Sequence, residues 1–330
     1  MPGDVAQLVE QYGARIAPIL EAEFPAGAHA FLSEGARYQL GSGGKRLRPA
    51  LCLLACEGLG GNPDDALPFA CASEILHNLF LLHDDIEDGD RLRRNRETLW
   101  VRYGIANAIN IGDFMAAKAY LILLRSPVSP AVLAEMVRVF SETYLTTTLG
   151  QALDINLRAA SDLTVTRYLE IVSLKTARYL AYNMVGGALV AGAGPQVTAR
   201  LWDLGEALGP AFQIQDDLLD MTAGKGRGGE IGCDIREGKP TLFLAHVLGS
   251  NVAEEERERL RATLAKPREE TTAEDVAWTI ALYERTGAVA FARRTAETLA
   301  AKAAACLEDL PFKNKRVFAE IARYVIARRT

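Results

Sequence analysis

Apolar residues recur at helical spacing along most of the chain, and this periodicity limits the fold more than any other feature. Leu8, Tyr12 and Ile16 form one apolar stripe, and Met136 and Phe140 belong to another. Side chains three or four residues apart lie on the same face of an α-helix. Alternation of apolar and polar residues, which is typical of strands, is scarce. The pattern therefore predicts an all-α fold.

Short segments rich in glycine, proline and serine separate the periodic stretches. They lie at residues 41–44, 60–63, 126–130 and 192–195. We find no internal repeat and no segment long enough to separate domains. We therefore expect one domain over residues 1–330, built from roughly ten or more helices. The polar loop from Thr222 to Gly232 is longer, and long loops in compact domains are often functional.

Composition and charge exclude several classes of protein. Hydrophobic residues make up 49% of the chain, enough for a large core, and the formal net charge is −5. This charge argues against a protein that binds nucleic acid through bulk positive charge. The five cysteines include no C-x-x-C pair, so a disulfide framework is not indicated. Because neither a signal peptide nor a membrane-spanning stretch is predicted, we expect a soluble cytoplasmic protein.

Two acidic clusters with the same Asp-Asp-x-x-Asp spacing give the strongest indication of function. They occupy residues 84–88 and 216–220, each at the end of an apolar helical segment. On a helix, the first and last aspartates of each cluster lie one turn apart on the same face. One such cluster could be a solvated helix end, but two favour Mg²⁺ ions that bridge carboxylates to a diphosphate. The predicted ligands are Asp84, Asp85, Asp88, Asp216, Asp217 and Asp220.

Basic residues accompany the acidic clusters in short motifs. Residues 43–49 combine a glycine-rich turn with three basic side chains, and residues 91–96 contribute four arginines after the first cluster. Two further segments, 175–176 and 238–241, each pair a lysine with a hydroxyl. A bound diphosphate needs such cations and donors besides metal. Ordinary surface charge and salt bridges to nearby acidic residues are the alternative interpretations.

Taken in order, these motifs resemble those of the trans-isoprenyl diphosphate synthases, which make geranyl, farnesyl, geranylgeranyl and longer diphosphates. The resemblance runs from about Gly43 to Arg328, and although each piece is weak, the ordered set is very specific. The matching pieces are Gly43-Gly44-Lys45-Arg46-Leu47-Arg48-Pro49, His77 followed by Asp84-Asp85-x-x-Asp88, Arg93-Arg94, Gly150-Gln151-x-x-Asp154, Lys175-Thr176, Phe212-Gln213-x-x-Asp216-Asp217-x-x-Asp220, and Asp234-x-x-x-Gly238-Lys239-x-Thr241.

The resemblance implies a fold and a role for each motif. The expected fold is a single large helical bundle around a central cavity, of the isoprenoid synthase type, in a homodimer. Three Mg²⁺ ions are expected between the two aspartate clusters, and catalysis is expected to depend most on Asp84, Asp88, Asp216, Lys175 and Lys239. Isopentenyl diphosphate would be held by Lys45, Arg48, His77 and Arg94. The allylic diphosphate (dimethylallyl, geranyl or farnesyl) would be held by Arg93, Lys175, Thr176, Gln213 and Lys239, with outer support from Asp234.

The implied chemistry is alkylation of an alkene by an allylic cation. Metals and cationic side chains stabilise the departing diphosphate, and a dry apolar cavity keeps water from the cation. Two alternatives belong to other classes. A terpene cyclase would need no second diphosphate site, so Lys45, Arg48 and His77 argue against it. A non-catalytic partner subunit would be expected to lose aspartates, whereas all six are present.

Two positions depart from the family pattern. In the family, a lysine normally precedes a Gly-x-Asp segment. Here Gly229 or Glu230 occupies that position, and the nearest lysine is Lys225. Either Lys225 or Arg227 returns to the site, or one phosphate contact is missing. After the arginine pair, the family's glycine is Asn95, and Glu97-Thr98 and Trp100 stand where Pro-Thr and often histidine occur. These changes affect the expected substrate preference more than the reaction class.

Product length is predicted from the helix that ends at Asp84. Each turn back from Asp84 would lie deeper in the tunnel that holds the growing chain. Phe80 is expected to form a partial floor there with Leu79 and Leu76. We therefore expect geranylgeranyl diphosphate, with farnesyl diphosphate or a longer product as alternatives. Phe80 could instead merely pack between helices.

Overall fold

The computed structural model describes residues 3–27, 29, 31–158, 162–222 and 230–326. Helices dominate this part of the chain, and the prediction of an all-α fold is confirmed. The helices are α1 Gly3–Ala14, α2 Ala17–Glu23, α3 Phe31–Leu40, α4 Leu47–Gly58, α5 Leu67–Glu87, α6 Leu99–Tyr103, α7 Ile105–Leu123, α8 Pro130–Asn156, α9 Val165–Val172, α10 Arg178–Val190, α11 Pro195–Asp220, α12 Cys233–Arg236, α13 Leu242–Leu248, α14 Glu254–Leu264, α15 Ala273–Arg285, α16 Ala288–Glu308 and α17 Lys315–Ile326. A π-helical turn at Ser173–Ala177 joins α9 to α10, and a 3-10 turn occupies Arg268–Glu270.

The helices group into two compact units, each with a buried core. The first unit contains Met1–Tyr144, Leu180–Trp202 and Cys306–Ile321. The second contains Leu145–Tyr179, Asp203–Ala305 and Ala322–Thr330. The expectation of one domain over residues 1–330 stays a prediction.

Helix α5 is the central helix of the first unit. It begins at a proline in its first turn, a position where the missing N–H costs nothing, and it packs against α4 and α7. Phe69, Leu76, Leu79 and Leu82 are fully buried along it. Apolar burial of this extent stabilises a helix far more than its intrinsic propensity does. The packing therefore fixes where α5 ends, at the first acidic motif.

The second unit has its own apolar core around α9, α13 and α15. Tyr168, Phe243 and Tyr283 are buried there, and the last two rings lie 5.5 Å apart. A threonine caps the first helix of this core: the Thr164 side chain accepts a hydrogen bond from the backbone N–H of Arg167 at the start of α9. Such a cap satisfies a backbone donor that the first helical turn leaves open. This core supports the end of α11, which carries the second acidic motif.

A short β-hairpin, with two residues in each strand, follows the first acidic motif and was not predicted. Its strands are β1 Leu92–Arg93 and β2 Arg96–Glu97, paired antiparallel. Arg94 and Asn95 form the turn, with φ of 53° and 60°. A two-residue hairpin turn of type I′ needs this left-handed conformation at both central residues, and asparagine adopts it more easily than most residues. Asn95 can therefore replace the glycine of the family pattern without losing the turn.

Most of the predicted breaks between helices are confirmed. Helices end before residues 41–44, 60–63, 126–130 and 192–195, although α8 already begins at Pro130 and α11 at Pro195. Of the long polar loop from Thr222 to Gly232, residues 223–229 lie outside the described part. All five cysteines are free thiols, and four of them are buried. Among the described residues, no helix has both the length and the low polarity needed to cross a bilayer.

Candidate active site

The first acidic motif lies at the C-terminal end of α5, where Arg93 contacts its carboxylates. Arg93 Nε donates to Asp85 Oδ1 at 2.5 Å, and Arg93 Nη2 lies 3.5 Å from Asp84 Oδ2. The same Nη2 is 3.6 Å from Asp90 Oδ2. The hairpin turns the chain back, so that Arg93 on β1 reaches the end of the helix. One guanidinium thus offsets part of the repulsion among three carboxylates.

Burial sets the charge state of this motif in the absence of metal. Asp85 is 1% exposed, and burial raises its pKa to about 7 even though Arg93 lowers it. Asp88 and Asp90 are also buried, and a carboxylate oxygen of each lies within 4.8 Å of the other. Closely placed hard oxygen donors of this kind fit a divalent cation such as Mg²⁺. The donor set of the first motif therefore suits the predicted metal.

Basic side chains of the first unit gather near the predicted isopentenyl diphosphate site. Arg48 Nη1 lies 3.2 Å from His77 Nε2. Burial and the neighbouring arginines hold the pKa of His77 well below its usual range, so the ring is neutral. Because arginine only donates, Nε2 accepts and the His77 proton is on Nδ1. Arg94 donates to the Gly43 carbonyl, which brings its guanidinium over the glycine-rich turn beside exposed Lys45.

A buried carboxyl group lies beneath these cations and was not predicted. Glu74 is 6% exposed, and its Oε1 accepts from Asn78 Nδ2 at 3.2 Å. Burial raises the pKa of Glu74, whereas Arg46, Arg48 and Arg94 lower it. A carboxylate in this place would attract the arginines above it.

The second acidic motif lies at the C-terminal end of α11, where neutral donors contact Asp217 and Asp220. Gln213 Nε2 donates to Asp217 Oδ1 at 2.9 Å, and Tyr168 Oη donates to Asp217 Oδ2 at 3.2 Å. The backbone N–H of Asp234 donates to Asp220 Oδ2 at 3.0 Å. Asp217 and Asp220 are buried, whereas Asp216 is half-buried. Hydrogen bonds to a carboxylate orient it without adding positive charge.

The π-helical turn presents Lys175 and Thr176. Lys175 Nζ lies 3.0 Å from Asp154 Oδ2, and Thr176 Oγ1 donates to Gln213 Oε1 at 3.2 Å. Two glycines allow neighbouring helices to approach this turn. A Cβ on Gly150 would lie 2.6 Å from the Lys175 nitrogen, and one on Gly209 would lie 2.3 Å from the Ala177 Cα. A π-turn is rare and occurs often at functional sites.

Lys239 lies among carboxylates in the second unit. Its Nζ is 2.7 Å from Glu237 Oε2 and 3.9 Å from Asp234 Oδ1. Arg268 Nη1 donates to the other Glu237 oxygen at 3.0 Å. Together with Asp217 and Asp220, Lys239 lines a small pocket whose wall also includes Asp234, Thr241 and Tyr283. This pocket combines carboxylates with a cation, as a metal-bound diphosphate requires.

Comparison with protein families decides the identity of the chain. Residues 29–282 match the family model described as polyprenyl synthetase. The chain belongs to the polyprenyl synthetase family. It is a trans-prenyl diphosphate synthase and therefore a prenyltransferase, as its motifs predicted.

Three relatives show how far the similarity extends. A short chain isoprenyl diphosphate synthase of Methanothermobacter thermautotrophicus is 36% identical over 299 residues, 90% of either chain. The crystal structure of geranylgeranyl pyrophosphate synthetase from Pyrococcus horikoshii superposes with a TM-score of 0.90 at 30% identity, covering 98% of both chains. A geranylgeranyl pyrophosphate synthase from Corynebacterium glutamicum, complexed with isoprenyl diphosphate and magnesium, has a TM-score of 0.88 at 26% identity over 99% of both chains.

The predicted chain-length residues of this polyprenyl synthetase lie on α5. Leu76 and Leu79 are fully buried, and Phe80 is half-buried. The Phe80 ring contacts Tyr144 edge to face, with centroids 5.5 Å apart. This contact is compatible with either a floor or simple packing, so the predicted role stays a prediction. Lys225, Arg227 and Gly229, which bear on the missing lysine, lie outside the described residues.

Several residues around the site were not predicted from the sequence. Asp90 lies two residues after the first motif and was considered only as an ion-pair partner of the nearby arginines, although its acidity could have included it in that motif. Glu237 lies two residues before Lys239 and could have been identified as its ion-pair partner. Tyr168 and Glu74 carry no recognisable pattern, since a tyrosine or glutamate in an amphipathic helix is common. The predicted roles of all the site residues stay predictions.

Proposed function

We propose that this polyprenyl synthetase joins isopentenyl diphosphate head to tail with an allylic diphosphate and forms geranylgeranyl diphosphate as its main product. The observation that carries the proposal is the pocket of the second unit, where Asp217, Asp220 and Lys239 meet. Carboxylates for metal and a lysine for phosphate are what a departing diphosphate requires. The first unit supports the same chemistry with its own Asp-Asp-x-x-Asp motif and arginines.

Each group of side chains has a proposed task in the reaction. The carboxylates of the two motifs would bind Mg²⁺, with three ions as the proposed number. When bound, the metal would neutralise the charge that develops on the diphosphate. Arg93, Lys175 and Lys239 would hold the allylic diphosphate while its bond to carbon breaks. Arg48 and neutral His77 would hold isopentenyl diphosphate in the first unit. The proton lost after alkylation would pass to the departed diphosphate.

An incubation assay tests this function directly. The purified protein is incubated with isopentenyl diphosphate, Mg²⁺ and either dimethylallyl, geranyl or farnesyl diphosphate. After dephosphorylation, mass spectrometry is expected to identify the twenty-carbon geranylgeraniol from all three starters, and none when a chelator is added. Cyclic hydrocarbons would indicate a cyclase. The absence of any elongated product from every starter would contradict the proposal.

Phe80 carries the proposed product length. Geranylgeranyl synthases among the relatives support a twenty-carbon product, with fifteen carbons or a longer chain as alternatives. Phe80→Ala removes a ring one helical turn before Asp84 and opens a cavity there. We expect longer products from this variant than from the wild type.

A matched variant separates a tunnel floor from general loosening of the fold. Phe114 on α7 is also half-buried and packs edge to face against Phe24, with centroids 5.8 Å apart. Phe114→Ala is expected to keep the wild-type product. If Phe80→Ala also keeps the wild-type chain length, Phe80 is not the floor.

A homodimer is the proposed assembly, and a second copy is proposed to cover α7. This helix exposes large apolar side chains near both of its ends: Ile105 is 52% exposed and Leu121 is 54% exposed. Exposed apolar surface of this kind favours protein contacts. Light scattering is expected to give twice the chain mass for the wild type and less for Leu121→Asp. Phe31→Asp, at an exposed position of α3, is the control. A wild-type mass equal to that of one chain would contradict the dimer.

A further inference from the structure

We propose that Tyr168 is a positioning residue for the second acidic motif: its buried hydroxyl holds the Asp217 carboxylate in the orientation in which it can bind a metal ion. The inference rests on the proposed function, in which Asp217 is a Mg²⁺ ligand. Tyr168 belongs to none of the sequence motifs, and nothing in its local sequence distinguishes it from a core tyrosine. Its contact with Asp217 assigns it this task.

The Asp217 carboxylate accepts a side-chain hydrogen bond at each of its two oxygens. Tyr168 Oη donates to Oδ2 at 3.2 Å, and Gln213 Nε2 donates to Oδ1 at 2.9 Å. Gln213 is itself oriented by Thr176, which donates to its Oε1 at 3.2 Å. A carboxylate oxygen can accept two hydrogen bonds, so one donor at an oxygen does not prevent that oxygen from binding a cation. The two bonds thus fix the plane of the carboxylate and still leave it able to bind metal.

The position of Tyr168 is fixed by the core rather than by the site. Its side chain is 1% exposed and packs in the apolar cluster that also contains Val172, Leu218 and Phe243. Gln213, by contrast, is half-buried and lies on the same helix as Asp217, four residues earlier. Of the two donors, Tyr168 is therefore the one that ties Asp217 to a second helix, α9. Donors behind a metal ligand commonly change metal affinity when they are lost, by about 10–100-fold.

At the first motif, by contrast, Arg93 contacts Asp84 and Asp85 through its positive charge. A flexible arginine side chain can move toward a bound anion, whereas the hydroxyl of a tyrosine packed in the core stays in place. Tyr168 is thus expected to affect the geometry of the second motif and leave its net charge unchanged. Replacing it by phenylalanine removes only the hydroxyl and keeps the ring in the core.

Titration of Mg²⁺ in the presence of inorganic diphosphate tests this role without requiring turnover. Calorimetry compares the wild type with Tyr168→Phe, Asp217→Asn and the control Tyr182→Phe. Tyr182 is a fully buried tyrosine of the first unit whose hydroxyl donates to the Ser73 carbonyl at 3.3 Å. We expect Tyr168→Phe to weaken Mg²⁺ binding about tenfold and Tyr182→Phe to leave it within about twofold. Turnover of Tyr168→Phe should recover to near the wild-type rate at saturating Mg²⁺, because the ligand itself is retained.

The variants separate failure of this proposal from failure of the proposed function. If Asp217→Asn weakens Mg²⁺ binding and Tyr168→Phe behaves like Tyr182→Phe, Tyr168 is merely structural and the proposal is overturned. If Asp217→Asn binds Mg²⁺ as the wild type does, Asp217 is not a ligand and the proposed function of the motif fails with it. A Tyr168→Phe protein that does not fold, as judged by circular dichroism, would also overturn the proposal, since the core would then need the hydroxyl.

Discussion

The cation Arg93 contacts the acidic motif at the end of α5, whereas neutral donors orient Asp217 in the motif at the end of α11. Arg93 contacts Asp84 and Asp85 in the first motif. Tyr168 and Gln213 donate to Asp217 in the second. The two motifs have identical spacing, so the difference comes entirely from the residues that the fold places around them.

This difference matters for how each motif would respond to ligand. An arginine beside carboxylates lowers their mutual repulsion and remains available to a phosphate. Neutral donors fix the direction of a carboxylate but leave its full charge for a metal. We therefore expect the first motif to depend on charge balance and the second on geometry. Variants at and around the two motifs test this contrast.

Loss of either motif should cause the largest change. Asp84→Asn and Asp216→Asn should each lower turnover by about 10³-fold or more, because a single oxyanion donor alone contributes about 10²–10³. Steady-state rates with labelled isopentenyl diphosphate measure this. Asp113→Asn, at an exposed position of α7, is the control. Rates within about tenfold of the wild type in both motif variants would refute the shared metal role.

Removing the cation of the first motif should lower stability in a pH-dependent way. Without metal, Arg93→Gln should lower the free energy of unfolding by about 2–3 kcal/mol above pH 7, since a buried carboxylate loses its partner. Asp85 has a pKa of about 7, and losing Arg93 would raise it further. Below that pH the carboxyl is protonated in both proteins, so the difference should shrink as the pH falls.

Denaturant unfolding at pH 5 and pH 8 in chelator measures this effect. Arg91→Gln is the matched control, since Arg91 is exposed and lies over the Trp100 ring at 5.6 Å. An equal loss of stability at both pH values would show that Arg93 acts through packing rather than through charge.

Separate substrate sites should appear as separate changes in KM. Arg48→Ala in the first unit should raise the KM for isopentenyl diphosphate by about tenfold or more, the cost of a lost charged hydrogen bond. Lys239→Ala in the second unit should mainly raise the KM for the allylic substrate. Initial rates with each substrate varied in turn measure both values. Equal effects of each variant on both substrates would show that the two sites are wrongly assigned.

The smallest expected effect concerns the π-turn behind the second motif. Gly209→Ala places a Cβ 2.3 Å from the Ala177 Cα, so the turn must shift, at a cost of about 1–3 kcal/mol. Thermal unfolding measures this cost. Gly194→Ala is the control, because its Cβ would meet nothing within 4 Å. A Gly209→Ala protein as stable as Gly194→Ala would show that the π-turn has room to move.

The helices and the motifs could be predicted because their determinants are local. Apolar periodicity located the helices, and the aspartates were identified by spacing within five residues. The contact of Arg93 with the first motif could also have been predicted, since Arg93 follows Asp85 by only eight residues. The two-residue strands were missed because Leu92–Arg93 is too short to show alternation.

The support of the second motif could not be predicted for the opposite reason. Tyr168 and Asp217 are 49 residues apart, and only packing of α9 in the core brings them together. The π-turn at Ser173–Ala177 likewise has no sequence pattern, since it depends on the close approach that Gly150 and Gly209 allow. Contacts over such distances need the fold, whereas motif spacing does not.

Mg²⁺ affinity of the two motif variants is the most direct test of the account. Calorimetric titration of Mg²⁺ with inorganic diphosphate compares the wild type with Asp84→Asn and Asp216→Asn. If both motifs bind the metal despite their different partners, each variant should lose at least about tenfold in affinity. Wild-type affinity in either variant would contradict the claim that the cation-held and the neutrally held motif share one function.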